Sequence, residues 1–303
     1  MQPSIVYDDI FALIKVLQPG HAVLQCEQYG GHLNRQQSLE LIQLDDGTVT
    51  AITRLPGMTY YRGENKEFPT CLSNIHRIKE LEKRTILQVK ACDFELYLLQ
   101  DKLIQENMKN NIHVDLMALA QHYGFPTPML DITNDIIVAA FFATHRFDPF
   151  YNSFRVVTEG IGCIRQLTYL YQPNDSKFRI IGAQPYLRPH SQSGFGLLME
   201  ENEDFAKESL CIRFKQSSEK NMLFHNIIIG GEENFYPTER LPYIAEEIRK
   251  APVVTSGGVE RYCTQCGEER NRVLEILKRN SVAVVDAPLF HPEVMMSMMN
   301  SKI

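Results

Sequence analysis

The stretch that most constrains the fold runs from Leu116 to Thr144, LMALAQHYGFPTPMLDITNDIIVAAFFAT. Ile136 to Ala143 is apolar on every side, and a helix of that kind is buried within a core. Upstream, Leu116, Ala118, Leu119 and Ala120 favour a helix. Gly124 can supply the positive φ that ends it. Pro126 and Pro128 forbid its continuation and bias Phe125 and Thr127 toward extended backbone. Asp131 and Thr133 are N-cap types ahead of the second helix. The stretch therefore reads as helix, tight polar turn, helix. It is a stiff elbow carrying Gln121, His122, Tyr123, Asp131 and Thr133, and rigid elbows suit reacting groups.

A buried helix needs enough chain around it. The 303 residues, 44% of them apolar, suffice for one large domain or two modest ones. Net charge is −6 with no block of Lys or Arg, so nucleic acid is not an expected partner. No run of about 18 apolar residues predicts a membrane helix. The start, MQPSIVYDDI, lacks the basic-then-apolar order of a signal peptide. Seven thinly spread cysteines then read as reduced thiols of a cytoplasmic protein.

The remaining pattern is helical first and strand-rich second, which gives an α+β class with a mainly antiparallel sheet. Residues 4–18 place Val6, Ile10, Leu13, Ile14 and Leu17 on one helical face. Asp45-Asp46-Gly47 marks a hairpin. Met58 to Arg62 is rich in strand formers and ends at Gly63. Ile75 to Cys92 and Asp93 to Asn110 read as two helices, with Asp93 capping the second. Strand-like segments follow at Gly160–Leu167, Phe178–Gly182, Gly194–Met199 and Ser209–Phe214. A helix is expected over Thr238–Lys250, Gly257-Gly258 reads as a linker, and Glu268–Asn280 is a charged amphipathic helix. The expected organisation is an N-terminal helical appendage (1–34), a main domain (35–250) and a C-terminal helical extension (251–303).

Several short runs resemble one known family in the same order. They are Tyr61-Arg62-Gly63, Gln121-His122-Tyr123-Gly124-Phe125-Pro126-Thr127, Leu130-Asp131-Ile132-Thr133, Phe141-Phe142-Ala143, and Arg188 to Phe195. Together they resemble the FRG domain family, named for a Phe/Tyr-Arg-Gly motif. The chain departs from the family pattern at Pro128, where Arg is usual, and at Ile132, where an aromatic is usual. A strand ending in Tyr-Arg-Gly is also similar to the opening strand of ADP-ribosyltransferases of the arginine–serine–glutamate class.

That resemblance implies a function as an NAD-dependent ADP-ribosyltransferase or NAD glycohydrolase, with NAD as substrate and an ADP-ribosyltransferase-like fold. It extends to bacterial defence or toxin roles, for which no residue here argues. Arg62 and Gly63 would hold the dinucleotide with Tyr123 and Thr133, and His122 with Gln192, or an acid between Glu200 and Asp204 in place of Gln192, would serve catalysis. A planar guanidinium suits a diphosphate, and an amide such as Gln192 binds a hydroxyl but cannot replace a carboxylate. Each residue also has a plainer reading: Arg62 in a salt bridge to Asp131, His122 and Tyr123 in the core, Asp131 and Thr133 as caps. Cys263-x-x-Cys266 has no second pair, so no metal is expected. The alternative is a non-catalytic module that binds a nucleotide, or a protein partner through the terminal extensions.

Overall fold

A computed structural model describes residues 5–34, 39–52, 57–148, 150, 153–170, 172, 175–192, 194–228, 235, 237, 239–288 and 290. In chain order the elements begin with β1 (Val6–Tyr7), α1 (Ile10–Leu17), α2 (Ala22–Tyr29), β2 (Glu40–Gln43), β3 (Val49–Ile52) and β4 (Thr59–Glu64). Then come α3 (Leu81–Leu98), α4 (Lys102–Lys109), α5 (Leu116–His122), β5 (Met129–Thr133), α6 (Ile136–Thr144), β6 (His145–Asp148) and β7 (Ser153–Val156). Next are β8 (Ile161–Thr168), β9 (Phe178–Ile180), α7 (Leu187–Ser191), β10 (Gly194–Leu198), α8 (Phe205–Glu208), β11 (Leu210–Lys215) and α9 (Ser218–Ile227). The last are α10 (Leu241–Lys250), β12 (Val253–Thr255), α11 (Ser256–Cys266), α12 (Arg270–Arg279) and β13 (Ala283–Val285). The class is α+β.

The chain divides into two compact units, each gathered from separated stretches. The first comprises Met1–Asp45, Thr50–Leu72 and Asp131–Thr238. It holds a seven-stranded sheet in the order β1-β11-β8-β4-β5-β10-β9. β1 runs parallel to β11, while β11/β8, β8/β4, β4/β5 and β10/β9 are antiparallel. Strand side chains alternate between faces, and here the two faces differ in chemistry. Tyr61, Ile164 and Phe214 enter a core with α1, α6 and α9. The register puts Arg62, Glu64, Cys163, Arg165, Cys211 and Arg213 on the other face.

Helix α6 is the buried helix that its sequence requires: all of Ile136–Thr144 except Phe142 is buried. Phe141 stacks on Phe235 and on His145, with ring centroids 4.3 Å apart in both cases. The expected caps are corrected. Asp131 and Thr133 lie in β5, and Asp135 caps α6 by accepting from Ile137 N at 2.9 Å. The elbow is thus helix, turn, strand, helix. Pairing with β4, which sets Tyr61 opposite Thr133, draws residues 129–133 into the sheet. At the N-terminus the expected helix starts later, at Ile10, because Val6 and Tyr7 pair with β11 and Asp9 caps α1.

The second unit comprises Asp46–Val49, Ser73–Leu130 and Glu239–Ile303 and is mostly helical. Its axis is α3. The expected break at Cys92–Asp93 does not occur; α3 continues to Leu98, and Asp101 caps α4 instead. Asp93 is fully buried, and its carboxylate accepts from Thr255 N at 3.1 Å and from the Thr255 hydroxyl, at the start of α11. One turn earlier, buried Lys90 donates to Arg249 O (2.6 Å) and Ala251 O (2.7 Å), at the end of α10. An acid therefore meets a helix N-terminus and a cation meets a C-terminus, each matching the macrodipole. Gly257-Gly258 is not a linker but the first turn of α11. A Cβ on Gly258 would lie 2.2 Å from Asp93 Oδ1, so only glycine admits the carboxylate. Val89, Cys92, Val254, Val259, Tyr262, Val273 and Leu277 form the apolar core of this unit. The expected helix over Thr238–Lys250 begins at Leu241, and Thr238 itself lies outside the described residues, as does the Met-rich end.

Candidate anion-binding face of the sheet

In the first unit, the polar face of the sheet carries three arginines on adjacent strands. Two are neutralised locally. Arg165, 3% exposed at its side chain, donates from Nε to Glu64 Oε2 at 2.8 Å and from a terminal nitrogen to Phe68 O at 2.7 Å. Arg213 forms a two-pronged pair with Glu67, donating from Nε at 2.6 Å. That pair holds the Glu67 carboxyl below its usual range, with the hydrogen bonds as the main cause.

Arg62 differs. It is half-buried, and Nη1 donates to the main-chain carbonyl of Asp131 at 2.7 Å. The salt bridge expected to the Asp131 carboxylate is replaced by this carbonyl contact. Arg62 Nε is buried with no hydrogen-bond partner, and no acid pairs with the guanidinium, among the described residues. An unpaired buried donor on a cation is costly. The group is therefore positioned by a neutral acceptor and not by a carboxylate among the described residues.

Other expected site residues are engaged in building this unit. A Cβ on Gly63 would sit 1.8 Å from Ala139 O and 2.7 Å from Ala143 N, so the close approach that Gly63 permits is to α6. Thr133 is buried, and its hydroxyl accepts from Asp135 N at 3.1 Å, fixing the turn from β5 into α6. Gln192 follows α7 and donates from its amide to Phe235 O at 2.9 Å. Arg62, Gly63 and Thr133 are thus neighbours on β4 and β5, whereas Gln192 lies in the turn before β10.

His122 and Tyr123 belong to the second unit. His122 ends α5 and is half-buried; Tyr123, 3% exposed, donates its phenol to the Glu239 carboxylate and packs 6.1 Å from Phe94. The turn after them is closed from within. Thr127 Oγ1 donates to Gln121 Oε1 at 2.6 Å, Gln121 Nε2 to Met129 O at 3.1 Å, and Met129 N to Thr127 Oγ1 at 3.2 Å. Gly124 adopts φ +90°, and Arg249 Nη1 donates to its carbonyl at 3.0 Å. This accounts structurally for the Gln, Gly and Thr of the run.

Sequence reasoning missed Glu64, Arg165, Arg213 and the cysteines beside them. A signal was present: the tripeptide Cys-Ile-Arg occurs twice, at Cys163–Arg165 and Cys211–Arg213, each in a strand-like segment. Among the described residues, no helix is long and apolar enough to cross a membrane, and no group of three or more His, Cys, Asp or Glu is placed to hold a metal. No curated protein and no solved structure matches the chain. A family model for the FRG domain matches residues 57–151, spanning β4 with its Tyr-Arg-Gly, the Gln121–Thr127 turn and the buried helix α6. The chain carries an FRG domain.

Proposed function

We propose that this protein is a nucleotide-binding module whose anion contact is Arg62, with a dinucleotide such as NAD as its ligand. The observation that carries this reading is the contrast on one sheet face. Arg165 and Arg213 have carboxylate partners, and Arg62 has only a carbonyl among the described residues. A guanidinium held in that way presents a planar fork to a diphosphate.

Transfer of ADP-ribose, or hydrolysis of the N-glycosidic bond, needs more than binding. It needs stabilisation of an oxocarbenium-like state, commonly by a carboxylate. Glu64 shares the face of Arg62 but is held by Arg165, and the Gln192 amide is held by Phe235 O. These engagements favour binding over turnover.

The test is calorimetric titration of NAD into wild type and Arg62→Lys, with melting temperature and nicotinamide release measured on the same samples. Lys keeps the charge and loses the fork. Binding should weaken by about 1–3 kcal/mol, the scale of a charged hydrogen bond, while the melting temperature moves little. Absence of NAD binding by wild type overturns the reading, as does unchanged affinity with a large fall in melting temperature. Nicotinamide release would favour the transferase or glycohydrolase.

A further inference from the structure

We propose that the helical unit holds a binding site for a free α-amino acid with an apolar side chain, in a pocket between α3, α11 and α12. The proposal is independent of the nucleotide reading, which rests on Arg62 in the other unit. The pocket encloses about 240 Å³. Sites for drug-sized ligands run to roughly 300–1,000 Å³, so the occupant of this one is small.

The pocket is built from local sequence. α11 ends at Cys266, and Gly267, at φ +67°, turns the chain toward α12. Val273 and Ile276 are an i, i+3 pair on the buried side of α12. With buried Ile75 they give the pocket an apolar floor. Arg272 and Glu268 line the same pocket but stay in reach of solvent, with side chains 54% and 34% exposed. Arg84 lines it from α3 and is anchored through Nε, which donates to Ile78 O.

The lining therefore carries both signs of charge beside an apolar surface. A simple carboxylic acid would use only the guanidiniums, and an amine only the carboxylate. An α-amino acid uses all three features. Its carboxylate meets Arg84 and Arg272, its ammonium meets Glu268, and its side chain rests on Ile75, Val273 and Ile276. The Arg272–Glu268 pair is suited to such an exchange. Arg272 Nη1 donates to Glu268 Oε2 at 3.0 Å, and no other hydrogen bond engages either side chain among the described residues. An exposed i, i+4 pair contributes little to stability, so opening it to admit a zwitterion costs little.

The experiment titrates L-leucine, L-methionine and L-phenylalanine into the full chain by calorimetry. Alkylation of Cys266, an exposed thiol that lines the pocket, is followed in parallel by peptide mass spectrometry. At least one amino acid should bind, and at millimolar concentration it should slow Cys266 alkylation several-fold while Cys26 reacts as before. The deaminated acid and the amide of the tightest ligand should each bind at least ~10-fold more weakly, the scale of one charged hydrogen bond lost. Glu268→Gln should weaken the amino acid by a similar ~10-fold and leave its deaminated acid unchanged. Arg272→Gln should weaken both. A partly unfolded variant would lose both ligands together, so the Glu268→Gln contrast reads charge recognition and not folding. Failure of all three amino acids to bind overturns the proposal. So does binding that leaves Cys266 alkylation unchanged, or equal losses of amino acid and deaminated acid in Glu268→Gln.

Discussion

Gly63→Ala tests how tightly the Arg62 strand is welded to the buried helix. The added Cβ would stand 1.8 Å from Ala139 O, 2.7 Å from Ala143 N and 2.8 Å from the Ala139 carbonyl carbon. An ordinary carbon–oxygen contact is about 3.3 Å or more, so β4 and α6 must part by about 1.5 Å. Both sides of the clash are backbone, and no rotamer relieves it. A gap of even 0.5–1 Å forfeits about a quarter to a half of each dispersion contact, and Tyr61, Ile164 and Phe141 all pack in this layer. Overpacking commonly costs about 1–3 kcal/mol; here we expect about 3–5 kcal/mol, a large share of a typical stability of about 5–15 kcal/mol. Gly57→Ala is the control, because its nearest neighbour would be Thr59 N at 4.0 Å and its φ is not positive. Urea denaturation followed by circular dichroism reads both variants. If Gly63→Ala unfolds at the same midpoint as Gly57→Ala, the proposed weld does not exist.

Other perturbations probe the two units separately. Burial, reinforced by His225 and opposed by the Phe141 carbonyl, pushes His145 down to about 4. A depressed base gives stability that is whole above the unfolded value near 6.5 and lost as pH falls toward 4. The loss should be up to about 3 kcal/mol. His145→Asn should flatten that dependence, and equal wild-type midpoints in urea melts at pH 7 and pH 4.5 would contradict it. Burial pushes Asp93 up to about 7 against the hydrogen bonds from Thr255. A raised acid has the opposite sign: its contribution is whole below about 3.8 and lost as pH rises through 7. Asp93→Asn should therefore gain on wild type by a few kcal/mol between pH 4 and pH 8, and a pH-independent difference would refute the assignment. Phe141→Ala should cost about 3–5 kcal/mol, read as a shift in denaturation midpoint; no shift would mean that the stacks on Phe235 and His145 carry no weight.

What the sequence disclosed was what local pattern controls. Ile136–Thr144 had to be buried because it has no polar side. Met58–Arg62 had to be extended because it is a run of strand formers, although β4 does not end at Gly63 but runs on to Glu64. The strand-like segments at residues 160–167 and 209–214 became β8 and β11 within a residue or so. What stayed hidden depended on distant partners. Four cap-type residues, Asp131, Thr133, Asn134 and Asp135, crowd the approach to α6, and the pairing of Thr133 with Tyr61 selects Asp135. Asp93 resembles a helix start until Thr255, 162 residues away, supplies its donors. The Arg213–Glu67 pair spans 146 residues. Among the elements that the sequence pattern was not read to contain are α2, α9 and the paired strands β6 and β7.

Lys90 and Asp93 also bear on where the FRG domain can be cut. The matched stretch, 57–151, is contiguous in sequence but not self-sufficient in space. Its α3 carries a buried ammonium and a buried carboxylate whose partners lie at Arg249, Ala251 and Thr255. Its β4 is paired along its length with β8, which begins at Ile161. A fragment trimmed to the match would expose two charges evolved for helix ends it no longer contains, together with the open edge of a central strand. Such an edge recruits other chains. The excised domain should therefore accumulate as aggregate, and only chains that keep both distant segments should behave as a soluble FRG domain.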